Sequence, residues 1–388
     1  MTGGAIPPLL SICTMAYKSN KTRSIYITAN VACNLRCVYC YEKDKTSAAS
    51  FDLEKAKALL TKTLSTKTES GTVIHFHGGE PLLSYLKIRE LCEWAWQQNF
   101  PEKYHFFATT NGTFVHGEIQ NWFKKHKKEF SLGLSLDGTR AMHNANRSNS
   151  FDLIDLDFFV KTWPEQGVKA TISPLSIGSL AEGIIFMHEA GFQEISANPA
   201  EMVDLWTDPE YYDVFQREMA KLAEYYIQHP DIKRCSLFEV EFALVLNKEH
   251  RKWCGVGTEM DAIDVDGSRH PCHLFFESVC GKEKSAEAQG IDFGNVDNCI
   301  SQQCRSCPAL NICPTCYGSN FITRGNIAER DMSLCEFEKI RFAEVARFEY
   351  NRIVNNPVDP STLSDEEKTS LIRRLEGIKR LAPFLELV

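Results

Sequence analysis

The stretch CNLRCVYC, residues 33–40, sets Cys33, Cys37 and Cys40 in the spacing C-x3-C-x2-C. It follows directly on RSIYITANV at 23–31, whose β-branched and aromatic content reads as a strand. Three thiolates on one tight loop can hold three corners of a cubane iron–sulfur cluster, leaving the fourth iron open to a small molecule. A structural zinc site closes itself with four protein ligands. No fourth Cys or His lies in this loop, and the next is His75.

Outward from this loop, strand-like runs alternate with helical ones. TVIHFH at 72–77, YHFFATTN at 104–111, FSLGLSLD at 130–137, KATISPL at 169–175 and EISANPA at 194–200 are separated by helix-patterned stretches at 52–64, 81–98, 116–128, 151–163 and 179–191. Six β-α units in order predict parallel strands with right-handed crossovers, and six are too few for a closed eight-unit barrel. The expected fold is therefore α/β: a partial, open (β/α)6 barrel over residues 1–200. A helical bridge is expected over 201–250, with helices near 208–229 and 237–249. From 251 to 340 cysteine, glycine and proline become dense, which predicts a small domain organised by metal. The last segment, 341–388, returns to helix.

The 388 residues carry a formal charge of −8 and 15 cysteines. That charge argues against a nucleic-acid or anionic-membrane partner. The start, MTGGAIPPLL, lacks the basic and apolar regions of a secretory signal, and no stretch has the length of a spanning helix, so a cytoplasmic protein is expected. Thiols stay reduced there, and metal or redox chemistry becomes the question the cysteines pose.

The other motifs fall at strand ends. Gly78, Gly79 and Glu80 follow the second run, Thr109 to Gly112 the third, and Ser135, Asp137 and Gly138 the fourth. This is the face on which barrel enzymes build active sites. His75 and His77 alternate on a strand and are read as core or mouth histidines. Cys13, Cys92 and Cys235 fit no motif and are read as small buried apolar groups.

On its C-x3-C-x2-C loop, with Tyr39 before the last cysteine, and its GGEP stretch, the chain resembles the radical S-adenosylmethionine (SAM) superfamily. That resemblance implies a 4Fe–4S cluster on Cys33, Cys37 and Cys40 whose open iron binds SAM. It implies that Gly78, Gly79 and Glu80 hold the methionine amino group, with Tyr39 and Asn111 also at the cofactor. It further implies that Ser135 and Arg147, the latter in an H-x3-R pair with His143, hold the SAM carboxylate. Relatives often carry another arginine where this chain has Leu153.

A second cysteine field runs Cys254, Gly267, Cys272, then Cys304-x2-Cys307-x5-Cys313-x2-Cys316, and Cys335. By itself the paired C-x2-C spacing is open to zinc or iron–sulfur. Beside the upstream triad it resembles the SPASM extension of the same superfamily, with two residues instead of three between Cys313 and Cys316. The resemblance implies two auxiliary 4Fe–4S clusters, three in all: an outer one on Cys304, Cys307, Cys313 and Cys335, and an inner one on Cys254, Cys272 and Cys316. The inner set is one ligand short. Cys280 or Cys299 could complete it, or the iron stays open.

SPASM relatives mostly modify peptides. The expected function is a peptide maturase that installs a carbon–carbon or thioether crosslink in a ribosomally made precursor peptide. The alternatives are a sulfatase-type maturase forming formylglycine, a small-molecule dehydrogenase, and an electron-transfer or zinc-structured protein. Sulfatase maturases carry an aspartate right after the cysteine matching Cys272; here His273 follows, as a candidate proton acceptor. Only 32 residues precede Cys33, so leader recognition is expected to fall to a separate protein or to the SPASM domain and tail, and a flavodoxin- or ferredoxin-type electron donor is an expected partner.

Overall fold

The computed structural model describes residues 22–42, 45, 47, 49–202, 206, 208–355 and 360–387. Cys13 lies outside them. Six strands run in parallel, each paired with the next: β1 (Arg23–Asn30), β2 (Thr72–Gly78), β3 (Tyr104–Thr110), β4 (Phe130–Ser135), β5 (Val168–Ile172) and β6 (Ile195–Pro199). Helices α1 (Leu53–Leu64), α2 (Tyr85–Trp96), α3 (Gly117–Lys125), α4 (Arg140–Asn146), α5 (Leu156–Thr162) and α6 (Leu180–Glu189) lie between them. Asp52 starts α1 by accepting from the Glu54 and Lys55 amides.

The sheet has two unlike faces, because side chains alternate along a strand. Ile25, Ile27, Ile74, Phe76, Phe106, Phe130 and Leu132 face the helices and are buried. In register on the other face stand Tyr26, His75, Phe107 and Ser131, and further along Ser135, Lys169 and Ser196. That second face is the inside of the barrel.

The sheet continues at its β1 edge. β7 (Met260–Ile263) pairs parallel to β1, and β8 (Arg269–His270) pairs antiparallel to β7, giving the order β6-β5-β4-β3-β2-β1-β7-β8. The cysteine-rich region is thus stitched to the barrel edge. Its turn between β7 and β8 is shaped by Asp264 and Asp266, whose carboxylates accept from the Val265 and Ser268 amides.

The helix expected at 237–249 is not formed. That stretch makes 3-10 turns at Ser236–Phe238 and Phe242–Leu246. A packing contact accounts for this: a Cβ at Gly377 would stand 2.0 Å from the Phe242 carbonyl oxygen, so a C-terminal helix presses directly on this backbone. That helix follows α7 (Glu210–Gln228), α8 (Glu277–Cys280), α9 (Lys282–Ala288), α10 (Tyr317–Arg324) and α11 (Met332–Asn355); it is α12 (Asp365–Leu381), which opens on a Ser364–Glu367 capping box. Phe337 of α11 packs on Trp206 and on Phe215 of α7.

Candidate active site

The loop carrying Cys33, Cys37 and Cys40 is suspended from two strand ends and the end of α4. At the β2 exit, the Gly79 and Glu80 amides donate to the Asn30 and Ala32 carbonyls at 3.2 and 2.8 Å. A Cβ on Gly78 would lie 1.9 Å from the Asn30 oxygen and one on Gly79 2.2 Å from the Ala32 oxygen. The two glycines are therefore demanded first by close approach of backbone to backbone, and Gly78 also has a positive φ of 133°. After β3, Asn111 Nδ2 donates to Asn34 Oδ1 at 2.9 Å, and Asn34 Nδ2 donates to Thr113. From the α4 end, Ser148 Oγ and the Asn146 carbonyl accept from the Arg36 and Val38 amides.

Glu80 is buried, and its carboxylate accepts from the Leu82 amide, the Thr110 hydroxyl at 2.7 Å and the Asn111 amide at 2.8 Å. Burial still pushes its pKa above the ordinary value. Its first task in this structure is to tie the second strand end to the third.

Arg147 faces Asp137, Nε to Oδ2, at 3.0 Å, both side chains almost fully buried. The Tyr39 hydroxyl donates to the same Asp137 oxygen, and the guanidinium lies 5.3 Å over the Tyr39 ring. Asp137 also accepts from the Thr171 amide and Asn146 Nδ2. His143, whose pKa is pushed down to about 4 chiefly by burial, sits in this packing with Ser150 on Nε2. Ser135 ends β4 at the cavity wall, and Leu153 is exposed away from it.

One cavity of about 1160 Å³ joins the two cysteine fields. Cys33, Cys37, Cys40, Gly79, Glu80, Ser135 and Arg147 line one side; Cys254, Cys272, Cys313, Cys316 and Cys335 line the other. Between them stands a group of rings. Tyr41 Oη lies 3.0 Å from His77 Nε2, and the His77 ring is 4.2 Å from that of His273. Tyr26 stacks on His75 at 4.4 Å. Burial holds His77 at about 4 and His273 well below its usual pKa, so both imidazoles are neutral at neutral pH. Nδ1 of each is buried without a partner among the described residues.

Cys304, Cys307, Cys280 and Cys299 do not line this cavity. Cys299 is buried in the same small core as Cys254, Cys272 and Cys316. The Cys280 thiol sits by the Phe276 carbonyl at 3.3 Å. Cys92 and Cys235 are fully buried, in keeping with an apolar packing role. Every described cysteine is free of a disulfide, so none of the candidate ligands is tied up in one. Sequence patterning missed Asp137 as the hub beneath Arg147, the ring group, and Arg330, whose guanidinium reaches Cys313. Asp137 alone left a signal, as an acid at a strand end.

Residues 27–154 match the model of the radical SAM superfamily. That stretch is a radical SAM domain, a class whose members hold a 4Fe–4S cluster and SAM. The cysteine-type anaerobic sulfatase-maturating enzyme of Clostridium perfringens (strain 13 / Type A) is 31% identical over 140 residues, 34% of this chain and 36% of that protein. The chain thus spans about a third of that relative's length in the alignment. Native anSMEcpe with bound AdoMet and Cp18Cys peptide has a similar fold, at a TM-score of 0.65 and 18% identity, covering 86% of this chain and 98% of that one. Streptococcus suis SuiB bound to precursor peptide SuiA is similar at a TM-score of 0.52 and 16% identity, covering 80% and 75%. No helix among the described residues is long and apolar enough to cross a membrane.

Proposed function

We propose that this chain is a radical SAM peptide maturase that crosslinks residues within a ribosomally made precursor peptide through a carbon–carbon or thioether bond. The observation that carries this reading is the single cavity walled by Cys33, Cys37 and Cys40 on one side and by Cys254, Cys272 and Cys316 on the other. Its volume, about 1160 Å³, exceeds the range of about 300–1,000 Å³ common for one small ligand. A cofactor and a peptide segment fit that space better than a small substrate alone. The similar structures with bound peptides support the same substrate class.

The donor set matches in kind and number what the class implies, three thiols on one loop for a first cluster and seven more in the second field for two auxiliary ones, although among the described residues no three of them already close into a single-ion metal site. When bound, the first cluster and SAM supply a 5′-deoxyadenosyl radical that abstracts hydrogen from substrate. Gly79 and Glu80 shape the cradle beside Cys33, and Ser135 and Arg147 offer donors to an anionic cofactor group. His273, neutral and with one ring nitrogen unpartnered, can accept the proton released as the substrate is oxidised. The rings around it exclude water.

A second reading, formylglycine formation on a sulfatase peptide, is favoured by the clostridial relatives. Anaerobic reaction with SAM, a reductant and candidate peptides separates the two. A peptide lighter by two hydrogens, with a crosslink in its fragments, supports the first. An aldehyde on a sulfatase-derived peptide supports the second. Absence of 5′-deoxyadenosine with every peptide would sink both.

A further inference from the structure

Arg330 carries a consequence that rests on assigning Cys304, Cys307, Cys313 and Cys335 to one cluster. Its Nη1 donates to Cys313 Sγ at 3.1 Å, and Nη2 donates to the carbonyls of Cys313, at 3.2 Å, and of Pro314. Its charge also acts on Cys304, Cys307 and Cys335. One guanidinium therefore serves all four thiols. The side chain is largely buried, yet among the described residues no carboxylate forms an ion pair with it; the adjacent Asp331 faces Arg324 instead, at 3.7 Å. A largely buried cation needs anionic partners: Glu201 lies within range of its charge, and the guanidinium hydrogen-bonds the sulfurs of Cys304 and Cys313. Lys339 also acts on Cys307 and Cys335, though its charge is already paired with Glu336 at 2.7 Å.

Carboxylates act on the outer set too, Glu338 on Cys313 and Glu336 on Cys335, but the other set has no arginine fork on its sulfurs among the described residues, and the charges near it include Lys252 at Cys254 and Glu201 at Cys316. Glu201 is the foremost charge acting on Cys316, and its carboxyl is hydrogen-bonded to Ser319 next along the same helix start. Tyr41 packs near Cys272 and Cys316 and brings no charge.

We infer that Arg330 is a positioning residue that raises the reduction potential of the cluster held by Cys304, Cys307, Cys313 and Cys335 above that of the cluster held by Cys254, Cys272 and Cys316. Reduction adds a negative charge to a cluster. Fixed positive charge and N–H···S bonds stabilise that reduced form, and a neighbouring carboxylate opposes it. With both clusters bound, that order of potentials would let an electron pass from the inner one to the outer one, with nothing else consumed.

The test is a redox titration followed by electron paramagnetic resonance on the full chain, reconstituted anaerobically, with iron and zinc counted in each sample. R330Q should keep its iron and show one auxiliary midpoint moved to lower potential. R330K, which keeps charge but loses the planar fork, should show a smaller fall. E201Q should raise the other midpoint and narrow the gap from the opposite side. R330Q with full iron and unmoved midpoints overturns the proposal. If R330Q sheds a cluster, R330K and E201Q decide, and an unchanged gap in both overturns it. One cluster's worth of iron with zinc in the second field would overturn the cluster assignment itself, a failure that metal analysis separates from the first.

Discussion

Arg147 and Asp137 form a buried ion pair, Nε to Oδ2 at 3.0 Å, closed on one side by the ring of Tyr39. The arginine expected to meet a cofactor carboxylate thus already has a carboxylate of its own. Because the guanidinium presents five N–H donors in a fixed fork, one pairing leaves others free toward the cavity it lines. Asp137→Asn removes the counter-charge from a buried cation. The expected cost is about 3–5 kcal/mol of stability, read as a lower denaturation midpoint, together with weaker retention of iron on the loop that Tyr39 belongs to. An unchanged midpoint would mean that the pair contributes nothing net.

Gly79→Ala places a methyl 2.2 Å from the Ala32 carbonyl oxygen, and the obstruction is backbone that has no rotamer to change. The strand exit and the cysteine loop must separate. The purified variant should lose about four irons, one cluster's worth, and with them SAM cleavage, while the second cysteine field keeps its own. Full iron content and normal cleavage would refute this account of the glycine pair.

The six strands were legible because each is a short strand-like run beside a helix-patterned one, and their observed ends lie within three residues of the pattern. Helix α4 was not: RAMHNAN at 140–146 has no apolar stripe, and it forms because Thr139 caps it and Asn146 is held by Asp137, Ser173 and Ser176. The 3-10 turns at 236–246 read as a helix because their apolar content is helix-like; the contact with Gly377 that decides otherwise comes from far along the chain. Strand β7 is four residues long and pairs with β1 across more than two hundred residues, a pairing no local pattern announces. At the site, cysteine spacing marked the candidate ligands. The ring group and the fork of Arg330 depend on tertiary placement and left no trace in spacing.

His105 offers a pH test away from the cysteines. It is buried on β3 with its Nε2 2.9 Å from Ser131 Oγ, and burial pushes its pKa down to about 4. In the unfolded chain a histidine titrates near 6.5. Between these values the unfolded state binds the extra proton. Stability from this group is therefore complete above about 6.5 and is lost as pH falls toward 4, by about 3 kcal/mol in total. Chemical denaturation of the protein at stepped pH should show this slope, and His105→Gln should flatten it. An equal slope in the variant would assign the acid loss to other groups.

Cys280 and Cys299 compete for the inner vacancy. Cys299 shares a buried core with Cys254, Cys272 and Cys316, whereas Cys280 lies nearer Cys272 with its thiol on the Phe276 carbonyl. If the inner iron is open to substrate, Cys280→Ser and Cys299→Ser each retain three clusters, and adding peptide perturbs the spectrum of one auxiliary cluster. Loss of about four irons in either single variant would name that cysteine as the missing ligand and close the iron.

His273 is expected to divide hydrogen abstraction from product formation. Its ring meets His77 at 4.2 Å, its Nδ1 is buried and unpartnered, and it follows Cys272 directly. A residue that only accepts a proton after abstraction leaves the earlier step intact. His273→Gln should still produce 5′-deoxyadenosine from SAM in the presence of peptide, at a rate within a few fold of wild type. Formation of the modified peptide should fall on the order of 100-fold or more, the scale of a lost general base. Tyr41→Phe removes the hydroxyl 3.0 Å from His77 without removing a ring, and should lower product formation less. Parallel loss of 5′-deoxyadenosine and product in His273→Gln would instead make the imidazole a wall of the cofactor site, because the early step would then depend on its shape and not on its basicity.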